Sequence, residues 1–364
     1  MMKRALIPIV MLAMLVAGCA IEPPLHLRQA IRIIVKVLWR AQVYPEGFKP
    51  TGVTLYFFKD GVFCKSIPTA NVDSCVVELE PGRYKLYMIS QTTGEFAHMD
   101  FDNMHDFDNA VVHVTDASNN WYTPGENERM LDNPDEMVVG VSDEFEVSDD
   151  FIEQYLHSRK NKNKDKKDPT KVGEDTDPDD IYTAISYYTI RVPVNPMSIV
   201  SQYWVTIYTD NVDMLSGVRA STTGMARSFM LTQDVTGDDE GTQFITAWSV
   251  TIDDAANKIG HLDGRITTFG FPNGDSPSPL RDPELNVATL LVDNKTVERY
   301  VFYIGDKITS EDPPPGFRNL YRVVFGSAEA PAIHPSTVVP VVEQAGFDVD
   351  VGDWGDGDDI DLDI

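Results

Sequence analysis

Carboxylates dominate any search for chemistry in this sequence. Its 364 residues carry 57 Asp and Glu against 30 Lys and Arg, a formal net charge of −27. Asp348, Asp350, Asp353, Asp356, Asp358 and Asp359 could offer oxygen ligands to calcium. An EF-hand loop needs Gly at its sixth position and Glu at its twelfth, and neither register fits. A solvated acidic segment is the simpler expectation. "HMDFDNMH" sets His98 and His105 among Asp100, Asp102 and Asp106. His with carboxylate suits zinc or iron, but the spacing matches no ligand motif, and a polar loop is expected. Acid pairs such as Glu144 and Glu146 could serve glycoside hydrolysis, yet so many acids produce such pairs by chance. The sequence holds no Gly-x-Ser-x-Gly elbow, no His-Glu-x-x-His, no phosphate loop and no dinucleotide glycine motif after a strand. No catalytic residue, metal or cofactor is assigned, and a non-enzymatic role is expected.

The net charge also argues against nucleic acid, whose phosphates demand Lys and Arg, and against polybasic docking on anionic lipid. Three cysteines remain as reactive groups. Lys3 and Arg4 precede an apolar run from Ala5 to Val16, which ends in Ala17-Gly18-Cys19. The run is short for a membrane span and reads as a secretory signal, and Val16-Ala17-Gly18-Cys19 resembles the bacterial lipobox. The expected chemistry is thioether lipidation of Cys19, removal of residues 1–18 and acylation of the new amino group. Several acyl chains, at about 0.8 kcal/mol per buried CH₂, hold a protein on a membrane almost permanently. Cys64 and Cys75 lie in "VFCKSIPTANVDSCVVEL", a strand-turn-strand pattern. In an oxidising compartment a disulfide between them can form; two half-buried thiols are the alternative.

Strands must position whatever the chain does. In "AIRIIVKVLW" Ile31, Ile33, Val35, Val37 and Trp39 share one face. "GVTLYFF", the cysteine segment and "EPGRYKLYMIS" follow at roughly ten-residue spacing with turn signals between them, as in a sandwich. "NAVVHVTD" reads as a further strand and "DDFIEQYLHS" as a short helix opened by an Asp cap. Residues 158–180, "SRKNKNKDKKDPTKVGEDTDPDD", are almost wholly polar, a flexible linker or exposed loop. Seven more β segments follow, from "YTAISYYTIRVPV" to "VERYVFYIGDKI", and "LYRVVFG" could be a last core strand. Pro193 and Pro196 suggest an edge strand or a bulge. Tyr187, Tyr188, Tyr203, Trp204, Tyr208, Trp248, Tyr300, Phe302 and Tyr303 could form a sugar-binding platform or pack in the core. After Val342 come nine acidic residues and no Lys or Arg, with Val349 and Val351, then Ile360, Leu362 and Ile364, alternating with Asp as in a strand. The expected fold is all-β: a signal over 1–18, a β-sandwich over 19–157, the linker over 158–180, a second sandwich over 181–329 and an acidic tail over 330–364.

The order of several segments resembles a family of Bacteroidetes lipoproteins similar to the fimbrillin-associated anchor and accessory lipoproteins of type V pili. They are the lipobox at Cys19, "IRIIVKVLWRAQVYPEGFKPTGVTLYFFKDG", "VELEPGRYKLYMIS", "YYTIRV", "SGVRASTTGMARSFML" and "GFDVDVGDWGDGDDIDLDI". The resemblance implies two transthyretin-like, Greek-key β-sandwich domains on an outer-membrane lipid at the cell surface. It implies fimbrial subunits as partners, met by strand exchange in which a terminal segment completes a neighbour's sheet. Val349, Val351, Ile360, Leu362 and Ile364 would then be donor-strand residues. Shaft subunits of such pili are cut after an arginine, and Arg28 and Arg40 flank the first strand; a cut at Arg40 would remove Cys19 and its lipid. A surface lipoprotein that binds glycan for polysaccharide uptake is the alternative.

Overall fold

The computed structural model describes residues 31–39, 49–118, 122–125, 128–148, 190–275, 283–341 and 358–361. These residues are nearly all β. The first ten strands are β1 (Ile31–Val37), β2 (Val53–Lys59), β3 (Val62–Thr69), β4 (Ser74–Leu79), β5 (Gly82–Ser90), β6 (Met99–Asp102), β7 (Val111–Val114), β8 (Met130–Leu131), β9 (Val138–Val141) and β10 (Phe145–Val147). Next come β11 (Ile190–Ser198), β12 (Ser201–Thr209), β13 (Leu215–Ala226), β14 (Ser228–Met230), β15 (Val235–Thr236), β16 (Glu240–Ile245), β17 (Ala247–Asp254) and β18 (Ile259–Thr268). The last are β19 (Glu284–Leu291), β20 (Val297–Tyr303), β21 (Thr309–Glu311), β22 (Leu320–Phe325) and β23 (Asp358–Asp361). Among the described residues no helix is long and apolar enough to cross a membrane.

Four sheets result. The first runs β3-β2-β5-β9-β11-β1-β4, with β10 also on β5. The second runs β15-β14-β7-β6, the third β23-β20-β19-β13-β16-β8, and the fourth β17-β18-β12-β22-β21. Two compact units divide the chain: Met1–Ile34, Val76–Arg83 and Glu146–Arg191 in one, the rest in the other. In the smaller unit the described residues are 31–34, 76–83, 146–148 and 190–191, the end portions of β1, β4, β5, β10 and β11.

Among the described residues of the larger unit, the two largest apolar cores each lie between a pair of sheets. In the first, Tyr56, Phe58, Tyr87 and Ile89 from β2 and β5 meet Val112, Val114 and Phe229 from β7 and β14. Tyr56 stacks on Tyr87 at 4.8 Å between ring centroids, and Phe107 sets its edge against Phe58. In the second, the inward row Tyr203, Val205 and Ile207 of β12 meets Val287, Tyr300 and Phe302 of β19 and β20. Phe302 and Phe325 stack there at 4.4 Å. Alternation is what permits this: along β12 every second residue is buried and its neighbours are partly exposed. Local turns obey the same economy. Asp60 and Gly61 both hold positive φ between β2 and β3, as a two-residue hairpin requires.

Three expectations change. The chain does turn at 70–73, where Asn71 Oδ1 accepts the amides of Asp73 and Ser74. It does not return along itself: β3 pairs with β2, whereas β4 neighbours β1. Cys64 is exposed, Cys75 is buried, and no disulfide joins them. Pro193 and Pro196 lie in β11, which is an internal strand with neighbours on both sides rather than an edge. Pro196 sits opposite Gly140 of β9. The missing side chain lets the strands close up: a Cβ there would stand 2.5 Å from Val194 Cγ1 and 3.2 Å from Pro196 Cα. Finally, strands before and after 158–180 share sheets. β7 pairs with β14, and β8 with β16. The helix expected at "DDFIEQYLHS" lies outside the described residues.

Gly140→Ala should therefore overpack this spot and cost about 1–3 kcal/mol. Urea unfolding at constant m is the check; an unchanged midpoint would show that β9 and β11 have slack.

Candidate functional site: the β20 edge

The strand "VERYVFY" of β20 places one acid within an apolar row. Val297, Tyr300 and Phe302 are buried, and so is Glu298, at 6% exposure. A buried carboxylate without partners would cost several kcal/mol. Here Tyr300 donates its hydroxyl to Glu298 Oε2 at 2.6 Å. The backbone N–H of Ser336 lies 3.2 Å from Oε1. Burial, then this hydrogen bond to Glu298, pushes the Tyr300 phenol well above its ordinary value. It stays protonated, and it stays a donor.

Ser336 reaches Glu298 because the segment after β22 is fastened along the way. Ala332 N–H donates to Tyr208 O, and Ile333 bridges to Thr209 in parallel. His334 Nδ1 lies 2.7 Å from Asp210 Oδ2, and Asn211 Nδ2 donates to Pro335 O at 3.0 Å. Val341 N–H then donates to Val292 O at 3.1 Å, beside the β19–β20 turn. The chain is thus delivered to the start of β20.

There the acidic segment returns as β23. It lies parallel to β20, with Asp358 opposite Glu298, Asp359 opposite Arg299, Ile360 opposite Tyr300 and Asp361 opposite Val301. Paired positions of a sheet share a face, so position 360 falls in the register row of buried Tyr300. Without β23, β20 would be the last strand of its sheet.

The chain matches along residues 26–246, more than half its length, a protein family described as a domain of unknown function (DUF5119). This chain belongs to that family. No curated protein matches it. Among solved structures the DUF5119 chain is similar to an adhesin candidate from Bacteroides ovatus, at 13% identity and a TM-score of 0.48, over 85% of this chain and 94% of that one. It is also similar to the fimbrial anchor protein Mfa2 from Porphyromonas gingivalis, at 9% identity and 0.42, over 81% and 90%. A further adhesin candidate, from Bacteroides thetaiotaomicron, is similar at 10% identity and 0.43, over 73% and 80%. No residue role is carried across from these structures.

Of the residues singled out in the sequence, Cys19, Arg28, Arg40, Val349, Val351, Leu362 and Ile364 lie outside the described residues. Ile360 lies in β23. Tyr203, Tyr300 and Phe302 of the aromatic set are core residues. Trp204 is partly exposed, with the guanidinium of Arg265 at 4.2 Å and that of Arg322 at 5.2 Å from its ring centre. His98 pairs with Asp135 at 3.0 Å, and His105 stacks on Phe63. Among the described residues no three His, Cys, Asp or Glu gather as for a metal. The Glu298–Tyr300 pair escaped the sequence reading. Its signal was the lone acid inside "VERYVFY", a strand otherwise apolar enough for a core.

Two expected outcomes follow from these contacts. Tyr300→Phe removes a donor from a buried charge and should cost about 1.5–3 kcal/mol, read by urea unfolding; a loss under about 0.5 kcal/mol would mean that Glu298 is served otherwise. The hydrogen bond that the His98 ring donates to the Asp135 carboxylate raises the His98 pKa. The stabilisation is then complete below the unfolded-state value of about 6.5 and fades as pH rises through the folded value. Thermal melts from pH 5 to 8 should show this decline in the native chain and a flatter profile in Asp135→Asn. Equal profiles would remove the pair as its source.

Proposed function

We propose that this protein is a non-enzymatic lipoprotein of the outer membrane and cell surface that serves a type V fimbria as an anchor or accessory subunit. It meets other subunits by β-strand addition. The observation that carries this reading is the parallel pairing of Asp358–Asp361 with β20, in which an acidic, alternating segment behaves as an added strand. Main-chain hydrogen bonds supply the affinity of such an addition, and alternate side chains supply its selectivity. The order of the resembling segments from Cys19 to the acidic tail supports the same reading. The lipid on Cys19 supplies the membrane attachment, and Val349, Val351, Leu362 and Ile364 extend the donor pattern around Ile360.

The glycan-binding alternative needs aromatic faces open to solvent. Tyr203, Tyr300 and Phe302 are buried, Tyr208 and Trp248 are partly exposed, the ring of Trp204 already carries two guanidinium groups, and of the set's described members only Tyr303 is exposed. These observations favour assembly over sugar binding.

Mass spectrometry of the native protein should find an acylated Cys19 as the first residue, and Cys19→Ala should leave the membrane fraction. A native chain beginning after Arg28 or Arg40 would make it a shaft or tip subunit instead. Deleting 348–364 should abolish co-purification with fimbrial subunits while the protein stays on the membrane. Unchanged complexes would remove the segment as the donor.

A further inference from the structure

The β20 edge is already occupied, and the occupant is the chain itself. We infer that β20 is a strand-acceptor edge held closed by the chain's own residues Asp358–Asp361, so that a partner strand joins the sheet only by displacing them. The inference rests on the strand-addition reading and deepens it. It names the acceptor, the direction of the incoming strand and the contact that restrains it.

Three features of the pairing argue for a latch rather than a permanent part of the sheet. First, it is short. Four residues of β23 engage β20, whereas β19 engages the other side of β20 over seven paired positions. Second, its charges are mixed. Asp359 stands opposite Arg299, but Asp358 stands opposite Glu298, and like charges directly opposed weaken a pair. Third, the connection is generous. Val341 is bonded at Val292, beside the turn that opens β20, and Asp358 pairs at Glu298 near the same end. The sixteen residues 342–357 join two points at one end of a single strand. A chain of that length could extend about 50 Å, far more than pairing in place requires.

The tether also sets the strength of the restraint. A strand on a linker of this kind faces its acceptor at an effective concentration in the millimolar range. A separate strand of equal intrinsic affinity, supplied at micromolar concentration, loses that competition. An incoming partner must therefore be presented locally, or must pair over more than four positions. The edge favours an extended segment running parallel to β20 with an aliphatic residue in the register of Tyr300. Acids at alternate positions would continue the pattern of Asp359 opposite Arg299.

The test uses a labelled peptide of residues 346–364, the full mature chain and the same chain ended at Gly357. The peptide should bind the shortened chain at least tenfold more tightly than the full one. Amide hydrogen exchange across Val297–Tyr303 should accelerate on shortening and slow again when peptide is added. Ile360→Pro in the full chain changes no core strand and should open the edge in the same way. Equal affinity for both chains, no binding to the shortened chain, or unaltered exchange in β20 would overturn the latch. The parent reading fails separately. If fimbrial subunits do not co-purify with the full chain although the shortened chain captures its peptide, the latch stands and the fimbrial role falls. If they co-purify equally with both chains and the peptide does not discriminate, the fimbrial role stands, while the latch and the donor role of the segment both fall.

Discussion

A chain made of strands must find a partner for every backbone amide and carbonyl that it takes out of water, and the rims of its sheets are where this first fails. Much of this molecule can be understood as an answer to that constraint, rim by rim. The edge strand β3 carries Lys65 and an exposed Pro68, a residue that cannot donate to a neighbour. At other rims β15, β21 and β8 are only two or three residues long. β6 presents Asp100 and Asp102, and β17 ends in Asp253 and Asp254. Short length, proline and charge each discourage a foreign strand. β20 is neither short nor interrupted by proline, and its charges are the adjacent pair Glu298 and Arg299. It is seven residues long, apolar at most positions, and would terminate its sheet if β23 were not beside it. A seven-residue rim strand without proline is here covered by another part of the chain.

That edge is also where the second core is held together by charge as well as by apolar contact. Glu298 is an expensive residue to bury, and removing one partner of a buried charge is far more damaging than replacing the whole arrangement. Its two donors come from different places: Tyr300 is two residues away on the same strand, and Ser336 belongs to the strap that follows β22. The carboxylate thus ties the strap to the start of β20. His334 with Asp210, and Asn211 with Pro335, fix the same strap earlier in its path. The route of the chain toward the β20 edge is therefore specified by hydrogen bonds that apolar packing alone would not dictate.

Strand positions were legible in the sequence because alternation is a local property. "SQYWVTIYT" and "VERYVFY" announce one buried face each, whatever they pack against. Partners were not legible, because nothing in a strand's own alternation says which strand lies beside it. The joining of β7 to β14 and of β8 to β16 spans the charged segment 158–180, and no short-range signal marks it. The cysteine segment shows the same limit. Its turn was readable from Asn71 and its neighbours, while the departure of β4 toward β1 depends on a strand far back in the chain. Pro193 and Pro196 misled for a physical reason. Proline disfavours a central strand on average, but Gly140 clears space opposite Pro196 and lets β11 sit inside. At the candidate site, the alternation around Ile360 was visible and so was its competence as a strand. Its acceptor was not, since Glu298 and Tyr300 form a pair only once β20 and the strap are in place.

The alternation of acid and aliphatic residues resolves a conflict that any pairing segment faces. A segment able to join a sheet is also able to join copies of itself, and flat apolar strands do so destructively. Aspartate at every second position opposes that outcome, because identical strands stacked in register would align like charges. Against β20 the same pattern meets a different row, with Arg299 opposite Asp359 and Tyr300 opposite Ile360. Self-association and acceptor binding are thereby separated by charge while both use the same backbone.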